Sequence, residues 1–311
     1  MTALICGSMA FDTIMVFEDR FKNHILPDQV HILNVSFLVP SLRREFGGCA
    51  GNIAYNLKLL GGDGRPMATV GIDFAPYADW MDKTGVSRQS LQELADDYTA
   101  QAYITTDQDD NQITAFHPGA MNQSHLNKVS SEADVSIGIV SPDGRQGMIE
   151  HAEQFAEASI PFIFDPGQGM PMFDGDELNQ FLKQATWLTL NDYEFQLFSE
   201  RTGKSAREIA REVDALVVTR GAEGSIIYAN NKEISIPVAK IDSIKDPTGC
   251  GDAYRSGLLY GLMNNMDWET TGRLAATMGA CKIEVNGTQN HTPARDEINR
   301  RFQENFDYKP W

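Results

Sequence analysis

Short, continuously apolar runs alternate with amphipathic segments along most of this chain. Runs such as "VSIGIV" and "ALVV" have no polar alternation, which is typical of strands that are covered on both faces. Segments between them, such as "DELNQFLKQA", place apolar residues three and four apart, as an amphipathic helix does. This alternation predicts an α/β fold, with helices on a mostly parallel sheet. Strands are predicted at 3–6, 67–72, 135–140, 161–165, 185–191, 215–221 and 224–230, and helices at 51–62, 144–159, 176–185, 192–203 and 205–214.

Two regions, residues 11–46 and 98–117, depart from this alternation. They contain alternating stretches such as "TIMVFED" and "NVSFLVP" with no helix between them, and "TTDQDDNQIT" resembles a hairpin loop. We expect a small separate sheet that covers a pocket at the edge of a single catalytic domain spanning 1–311. The unpaired strands of such a sheet could form a homodimer with a second copy of the chain, or remain a free lid.

Composition and charge narrow the range of partners. Hydrophobic residues make up 42% of the chain and charged residues 22%, which is globular composition, and no stretch has the apolar length of a membrane span. The net charge of −17 makes nucleic acid an unfavourable partner, because phosphate backbones require clustered lysine and arginine. The 4 cysteines are far apart, and the amino terminus has no basic head, so we expect a cytoplasmic protein with a small-molecule substrate.

The segment "DPTGCGDAYRSG", residues 246–257, carries the most specific chemical signal. Its second half predicts a helix whose first turn begins near Gly251. The backbone amides of Gly249, Cys250 and Gly251 would then lack helical partners and carry the positive end of the helix dipole, which favours an anion. Asp252 is either an ordinary acid of a first helical turn or a carboxylate positioned to take a proton from a hydroxyl that attacks the anion.

This segment resembles the carboxy-terminal signature of the ribokinase-like carbohydrate and nucleoside kinases, the PfkB family. The resemblance implies a three-layer α/β/α fold with a small β-sheet lid. It also implies that Asp252 is the catalytic base and that the amides of Gly249, Cys250 and Gly251 form the anion hole. Asp246 belongs in many members to a monovalent-cation loop, so the resemblance allows K⁺ as a cofactor.

Two amino-terminal motifs extend the resemblance. "FGGCAGN" is similar to the family's first signature, which implies that Gly47 and Gly48 form the hinge of the lid and that Asn52 contacts a substrate hydroxyl. Asp12 follows the first strand in "GSMAFD", where the family places an acid that binds substrate hydroxyls. From the residues alone, the glycine pair could be turn chemistry and Asp12 an ordinary turn acid.

Two further motifs resemble the family's ATP-binding elements. "NDYE" matches its N-x-x-E element, which implies that Asn191 and Glu194 organise Mg²⁺ near the ATP phosphates; a helix cap is the alternative. "VVTRGAEGS" matches its T-x-G element, which implies ATP contacts at Thr219, Gly221 and Gly224; a strand-to-hairpin turn is the alternative.

The phosphate acceptor is suggested by "AFHPGAM", which together with "TRGAEGS" and "GCGDAYRSG" resembles the bacterial and archaeal nucleoside kinases of the family more than its ribokinases or fructokinases. Phe116, His117 and Met121 could flank a purine, since aromatic and thioether groups suit a flat apolar base. The sequence therefore predicts an ATP- and Mg²⁺-dependent kinase acting on the 5′-hydroxyl of adenosine or a related nucleoside.

Three alternative functions remain open from the sequence. A ribokinase- or fructokinase-like sugar kinase would use the same machinery, and a catalytically silent regulator would keep the pocket without the reaction. A dinucleotide-dependent oxidoreductase is disfavoured, because no G-x-G-x-x-G follows the first strand.

Overall fold

A computed structural model describes residues 1–25, 34–109, 111–132 and 134–311 of the chain. Within these residues the strands are β1 (Thr2–Cys6), β2 (Ala10–Val16), β3 (Ser41–Gly47), β4 (Asp63–Gly71), β5 (Leu91–Leu94), β6 (Ala100–Thr106), β7 (Gln112–His117), β8 (Val135–Val140), β9 (Phe162–Phe164), β10 (Trp187–Asn191), β11 (Ala215–Thr219), β12 (Ser225–Ala229) and β13 (Lys232–Ile236). The α-helices are α1 (Cys49–Leu59), α2 (Ala75–Thr84), α3 (Arg145–Glu157), α4 (Gly175–Gln184), α5 (Asp192–Thr202), α6 (Ala206–Ile209), α7 (Cys250–Met263), α8 (Trp268–Ile283) and α9 (Arg295–Phe306).

The main sheet has the strand order β13-β12-β11-β10-β9-β8-β1-β4-β5. Its strands pair in parallel from β5 to β11, whereas β12 and β13 form an antiparallel hairpin at one edge. All five residues of β1 are buried, as its continuously apolar sequence predicts for a central strand. Because the carboxyl ends of parallel strands meet at one edge of the sheet, the loops after them are brought together there.

Helices cover both faces of this sheet. One hydrophobic core packs α1, α2, α7, α8 and α9 against one face, and a second core packs α3, α4, α5 and α6 against the other. The predicted three-layer α/β/α fold is therefore confirmed. Across the described residues, no helix combines the length and apolar character needed to cross a membrane.

The small separate sheet is also confirmed, with the strand order β3-β2-β6-β7. β6 and β7 pair as the antiparallel hairpin that the sequence predicts. The prediction of a strand in "NVSFLVP" is wrong for residues 34–40, which form no strand. The two positions beside β2 are occupied by β3 and β6. Residues 26–33 of the predicted lid region lie outside the described residues.

Several elements lie outside the predicted segments. The strands β5 and β13 and the helices α2, α8 and α9 are not among those predicted from periodicity. The helix predicted at 205–214 is real but short, because α6 ends at Ile209. Two of the unpredicted helices, α2 and α8, pack in the same hydrophobic core as α7, which carries the predicted base.

Candidate active site

The loop that precedes α7 exposes backbone amides at the positive end of the helix. Gly249 is its N-cap, with a φ of 78°, and an added Cβ would lie 3.1 Å from the side chain of Thr288. The N–H of Cys250 donates to the carbonyl of Pro247 at 3.1 Å, whereas those of Gly249 and Gly251 have no acceptor among the described residues. Two of the three predicted anion-hole amides are thus free to bind a ligand.

Asp252 lies in the first turn of α7 and is partly buried. Its Oδ2 accepts a hydrogen bond from Asn52 Nδ2 at 2.8 Å, while Oδ1 accepts none from a nitrogen or oxygen of the described residues. Burial raises the pKa of Asp252 to about 6 from its usual 3.8, and the hydrogen bond from Asn52 opposes this rise. A carboxylate whose second oxygen has no nitrogen or oxygen donor, and whose pKa is raised to about 6, is suited to general base catalysis.

Asn52 belongs to a buried hydrogen-bond network behind Asp252. Gln289 Nε2 donates to Asn52 Oδ1 at 3.0 Å and to the Tyr77 hydroxyl at 2.6 Å. The Tyr77 hydroxyl in turn donates to the carbonyl of Gly47 at 2.9 Å. The network therefore connects the predicted base to the predicted glycine hinge.

Arg255 and Asp165 form a buried ion pair beside Asp252 that the sequence analysis missed. Their charged atoms meet at 2.8 and 3.0 Å, and the two side chains are 7% and 4% exposed. The positive charge of Arg255 lowers the pKa of Asp252, and the negative charge of Asp165 raises it. An arginine three residues after the predicted base, in an otherwise small and apolar helix, is the sequence signal that could have identified the pair.

Asp12 lies on β2 and faces a cavity of about 140 Å³ between the small sheet and the loops around α7. Glu45 stands directly across from it on β3. Burial, together with the negative charges of Glu45 and Asp246, raises the pKa of Asp12 to about 6. Gly47 lies so close that an added Cβ would be 2.5 Å from Asp12 Oδ2. The acid predicted to bind hydroxyls therefore lines an enclosed polar space.

The three residues predicted to flank a base do not share one surface. Phe116 stands across β6 from Asp12, through Ala102, so both side chains project from the same face of the small sheet. Phe116 is 53% exposed. His117, the next residue of β7, projects from the opposite face. Met121 lies in a 3-10 helix, Gly119–Leu126, that follows β7. The geometry thus places Phe116 on the face of the small sheet that borders the cavity, outside the residues that line it, and places His117 on the opposite face.

Asn191 and Glu194 form a capping box at the start of α5. Asn191 Oδ1 accepts from the N–H of Glu194 at 2.7 Å, and Glu194 Oε2 accepts from the N–H of Asn191 at 2.8 Å. Burial and the charge of Asp165 raise the pKa of Glu194, while Arg255 opposes this. The helix-cap alternative is therefore realised, and it brings Glu194 within the electrostatic range of the ion pair beside the predicted base.

Asp246, the second predicted cation ligand, has both carboxylate oxygens engaged. Oδ1 accepts from the N–H of Thr248 and Oδ2 from the N–H of Gly287, each at 2.9 Å. These hydrogen bonds help hold the pKa of Asp246 below its usual value, although burial acts in the opposite direction. In this conformation Asp246 caps its own loop and ties it to the loop that follows α8.

The predicted ATP contacts Thr219, Gly221 and Gly224 lie where β11 turns into β12. Gly221 and Gly224 have φ angles of 53° and 80°, which favour glycine. A Cβ on Gly221 would meet nothing within 4 Å, whereas one on Gly224 would lie 2.1 Å from the carbonyl oxygen of Ile236. Gly221 therefore borders open space, and Gly224 is required by the close packing of the hairpin.

The sequence matches the family described as "pfkB family carbohydrate kinase" over residues 13–295. The chain belongs to this family. The predicted family and the class of enzyme, a phosphotransferase with an alcohol acceptor, are therefore confirmed.

Similar proteins include several nucleoside kinases. The "Nucleoside kinase" of Methanocaldococcus jannaschii is 31% identical over 87% of this chain and 89% of its own length. The nucleoside kinase of Burkholderia thailandensis has been solved in complex with inosine, with 53% identity, a TM-score of 0.90 and 99% of both chains covered. A second structure of that enzyme, in complex with ADP-inosine, has 55% identity and a TM-score of 0.88, and covers 99% of this chain and 97% of its own.

Proposed function

We propose that this chain transfers the γ-phosphoryl group of ATP to the 5′-hydroxyl of a purine nucleoside, adenosine or a close relative. The observation that carries the proposal is the pairing of a carboxylate with free backbone donors at the start of α7. Asp252 Oδ1 accepts no hydrogen bond from a nitrogen or oxygen of the described residues, and the pKa of Asp252 is raised to about 6. The amides of Gly249 and Gly251 have no acceptor among the described residues. Phosphoryl transfer requires a base for the attacking hydroxyl and donors for the transferred oxygens.

A purine nucleoside is favoured as the acceptor by the cavity and by the relatives. Asp12 offers a carboxylate for sugar hydroxyls, and the exposed ring of Phe116 on the same face offers an apolar surface for a base. The relative from Burkholderia thailandensis was solved with inosine and with ADP-inosine. A sugar alone would leave the Phe116 ring without a flat partner, which makes a ribokinase-like activity the second candidate.

In the proposed mechanism, Asp252 accepts the proton of the 5′-hydroxyl as its oxygen attacks the γ-phosphorus and the bond to ADP breaks. Asn52 holds the carboxylate through Oδ2 and leaves Oδ1 for the substrate. The amides of Gly249 and Gly251 stabilise the negative charge on the transferred oxygens. Closure of the small sheet about Gly47 and Gly48 would exclude water, which could otherwise compete as acceptor.

Glu194 fits a role in holding Mg²⁺ that arrives with ATP. In the described part of the chain, no group of three or more histidine, cysteine, aspartate or glutamate side chains is placed to hold a metal. Mg²⁺ in kinases is usually bound by one or two carboxylates, waters and substrate phosphates rather than by a protein cage. One oxygen of Glu194 is used in the capping box, and the other has no partner among the described residues. When bound, Mg²⁺ would neutralise charge on the phosphates.

The experiment is steady-state kinetics of Asp252→Asn with MgATP and a panel of adenosine, inosine, ribose and fructose. We expect wild type to prefer a nucleoside, and the variant to lose at least about a hundredfold in kcat while it keeps its fold and ATP affinity. Near-normal turnover of the variant would overturn the role of Asp252. A preference of wild type for ribose or fructose would overturn the acceptor.

We also propose cytoplasmic action and a homodimer formed through the small sheet. All four cysteines are free thiols, as expected in a reducing compartment. All six residues of the edge strand β7 are exposed, and so are Leu42 on β3 and Tyr103 on β6. Sedimentation equilibrium tests the dimer: a monomer at all protein concentrations would contradict it, and the small sheet would then act as a free lid.

A further inference from the structure

Lys282, near the end of α8, is a fully buried lysine with no carboxylate partner among the described residues. Its side chain is 0% exposed. The ammonium group donates to the carbonyl of Asp246 at 2.7 Å and to the carbonyl of Val285 at 3.1 Å. Lysine is rarely buried so completely unless it is paired. Here the partners are two main-chain oxygens, and the Asp246 carboxylate accepts instead from the N–H groups of Thr248 and Gly287.

These two oxygens belong to the two loops that build the proposed phosphate site. Asp246 begins the loop that ends at the free amides of Gly249 and Gly251. Val285 begins the loop that contains Gly287 and continues to Gln289, which supports Asn52. A positive charge held by carbonyl oxygens from two loops is also the arrangement by which proteins hold an alkali cation.

The charge of Lys282 also acts on the proposed site. It lowers the pKa of the Asp246 carboxyl and that of the Cys250 thiol at the start of α7, although burial acts in the opposite direction on both groups. Burial lowers the pKa of Lys282 itself, and the negative charge of Asp246 opposes this effect. The ammonium group is therefore close enough to add positive potential where a phosphate would bind.

The resemblance to the family allows a K⁺ ion near Asp246, but the residues present do not fit one. A K⁺ ion would need main-chain oxygens at this place, and the Asp246 carbonyl already accepts the Lys282 ammonium group. A second positive charge would also be repelled by the first. We propose that the Lys282 ammonium group takes the place of a monovalent cation, ordering the two loops and making phosphoryl transfer independent of K⁺. This proposal rests on the proposed function, in which Lys282 is a positioning residue.

The first experiment measures nucleoside phosphorylation by wild type in tetramethylammonium buffer with and without added K⁺. We expect kcat to change less than about twofold, since the Lys282 ammonium group already supplies the positive charge. Activation by K⁺ of about tenfold or more would overturn the proposal, because it would require a cation site that Lys282 leaves open.

The second experiment removes the charge with Lys282→Met, which keeps the length of the apolar stem. We expect kcat in alkali-free buffer to fall by about tenfold, less than the loss of a direct oxyanion donor would cost, and to be restored several-fold by K⁺ or NH₄⁺ in a saturable manner. The control is Lys245→Met, an exposed lysine one residue before Asp246, which should behave as wild type. Unchanged activity of Lys282→Met, or a loss that no cation restores, would overturn the proposal.

A third measurement separates this inference from the proposed function. We expect K⁺ to raise the melting temperature of Lys282→Met and leave that of wild type unchanged, whatever substrate the enzyme uses. If Lys282→Met does not fold, Lys282→Gln is measured in the same way. Equal responses of wild type and variant to K⁺ would overturn the cation role even if wild type phosphorylates nucleosides. Absence of phosphorylation together with the expected melting response would overturn only the proposed function.

Discussion

Asn52 donates its side-chain amide to Asp252 and accepts from Gln289. The sequence resemblance implies a contact between Asn52 and a substrate hydroxyl, which stays a prediction. Such a contact is compatible with the structure, because an amide nitrogen has two hydrogens and only one is used by Asp252. Asn52 would then fix the position of the substrate hydroxyl relative to the Asp252 carboxylate.

Asn52→Ala should move the acidic limb of the kcat/KM profile to higher pH. The hydrogen bond from Asn52 lowers the pKa of Asp252, so its loss raises that pKa further above about 6. Activity needs the ionised carboxylate, so the acidic limb should shift upward by about half to one pH unit. A shift of this size corresponds to the free energy of one hydrogen bond. Asn264→Ala, at the exposed C-cap of α7, the helix that carries Asp252, is the control and should leave the limb in place. A limb that does not move in Asn52→Ala would contradict the assignment of this pKa to Asp252.

Local chemistry made part of this site predictable. The position of Asp252 in the first turn of a helix could be predicted from a short segment in which glycines precede a helical pattern. Gln289 and Asp165 could not be predicted in the same way, since they lie 237 and 90 residues from their partners Asn52 and Arg255. Contacts of this kind depend on how the elements pack, and a single sequence contains no pattern that pairs them.

The two edge strands of the main sheet, β5 and β13, could not be predicted from periodicity. The central strands are apolar at nearly every position because helices cover both faces. Two residues of β5 are exposed and two partly buried, and β13 begins with Lys232 and Glu233, both exposed. Edge strands need only partial cover, so their sequences lack the continuous apolar run that identified the others.

The junction between β3 and α1 requires glycine at position 48. Gly48 is the N-cap of α1 with a φ of 85°, and an added Cβ would lie 2.5 Å from the carbonyl oxygen of Ser8. Gly203, at the end of α5, has a φ of 71° with nothing within 4 Å of an added Cβ, so it provides a matched control. We expect Gly203→Ala to lower the free energy of unfolding by about 1 kcal/mol and Gly48→Ala by at least about 2 kcal/mol more, since backbone strain and a clash combine. Equal losses in urea denaturation would mean that the junction relaxes around the new methyl group.

Buried ionisable groups couple the stability of the whole molecule to pH in two opposing ways. Burial raises the pKa values of Asp12 and Asp252 to about 6, so the folded state holds protons that the unfolded state has lost, and stability falls as pH rises from about 4 to 6. Burial lowers the pKa values of His151 and His291 to about 4, so the unfolded state binds more protons and stability rises with pH from about 4 to 6.5. The two pairs act against each other below pH 6.5.

Above pH 6.5 the carboxyl group of Asp143 dominates the expected change in the free energy of unfolding. It is 3% exposed, and its Oδ1 accepts from the N–H of Gly144 at 2.8 Å. Burial raises the pKa of Asp143 to about 8, so the folded state keeps its proton while the unfolded state has lost it. Stability should therefore fall by about 1 to 2 kcal/mol between pH 6.5 and 8 in urea denaturation, since one proton is worth about 1.4 kcal/mol per pH unit. Asp143→Asn keeps the shape without the charge and should flatten this decline, whereas Asp176→Asn, at an exposed first-turn acid of α4, should retain it. A decline that persists unchanged in Asp143→Asn would show that another group releases the proton.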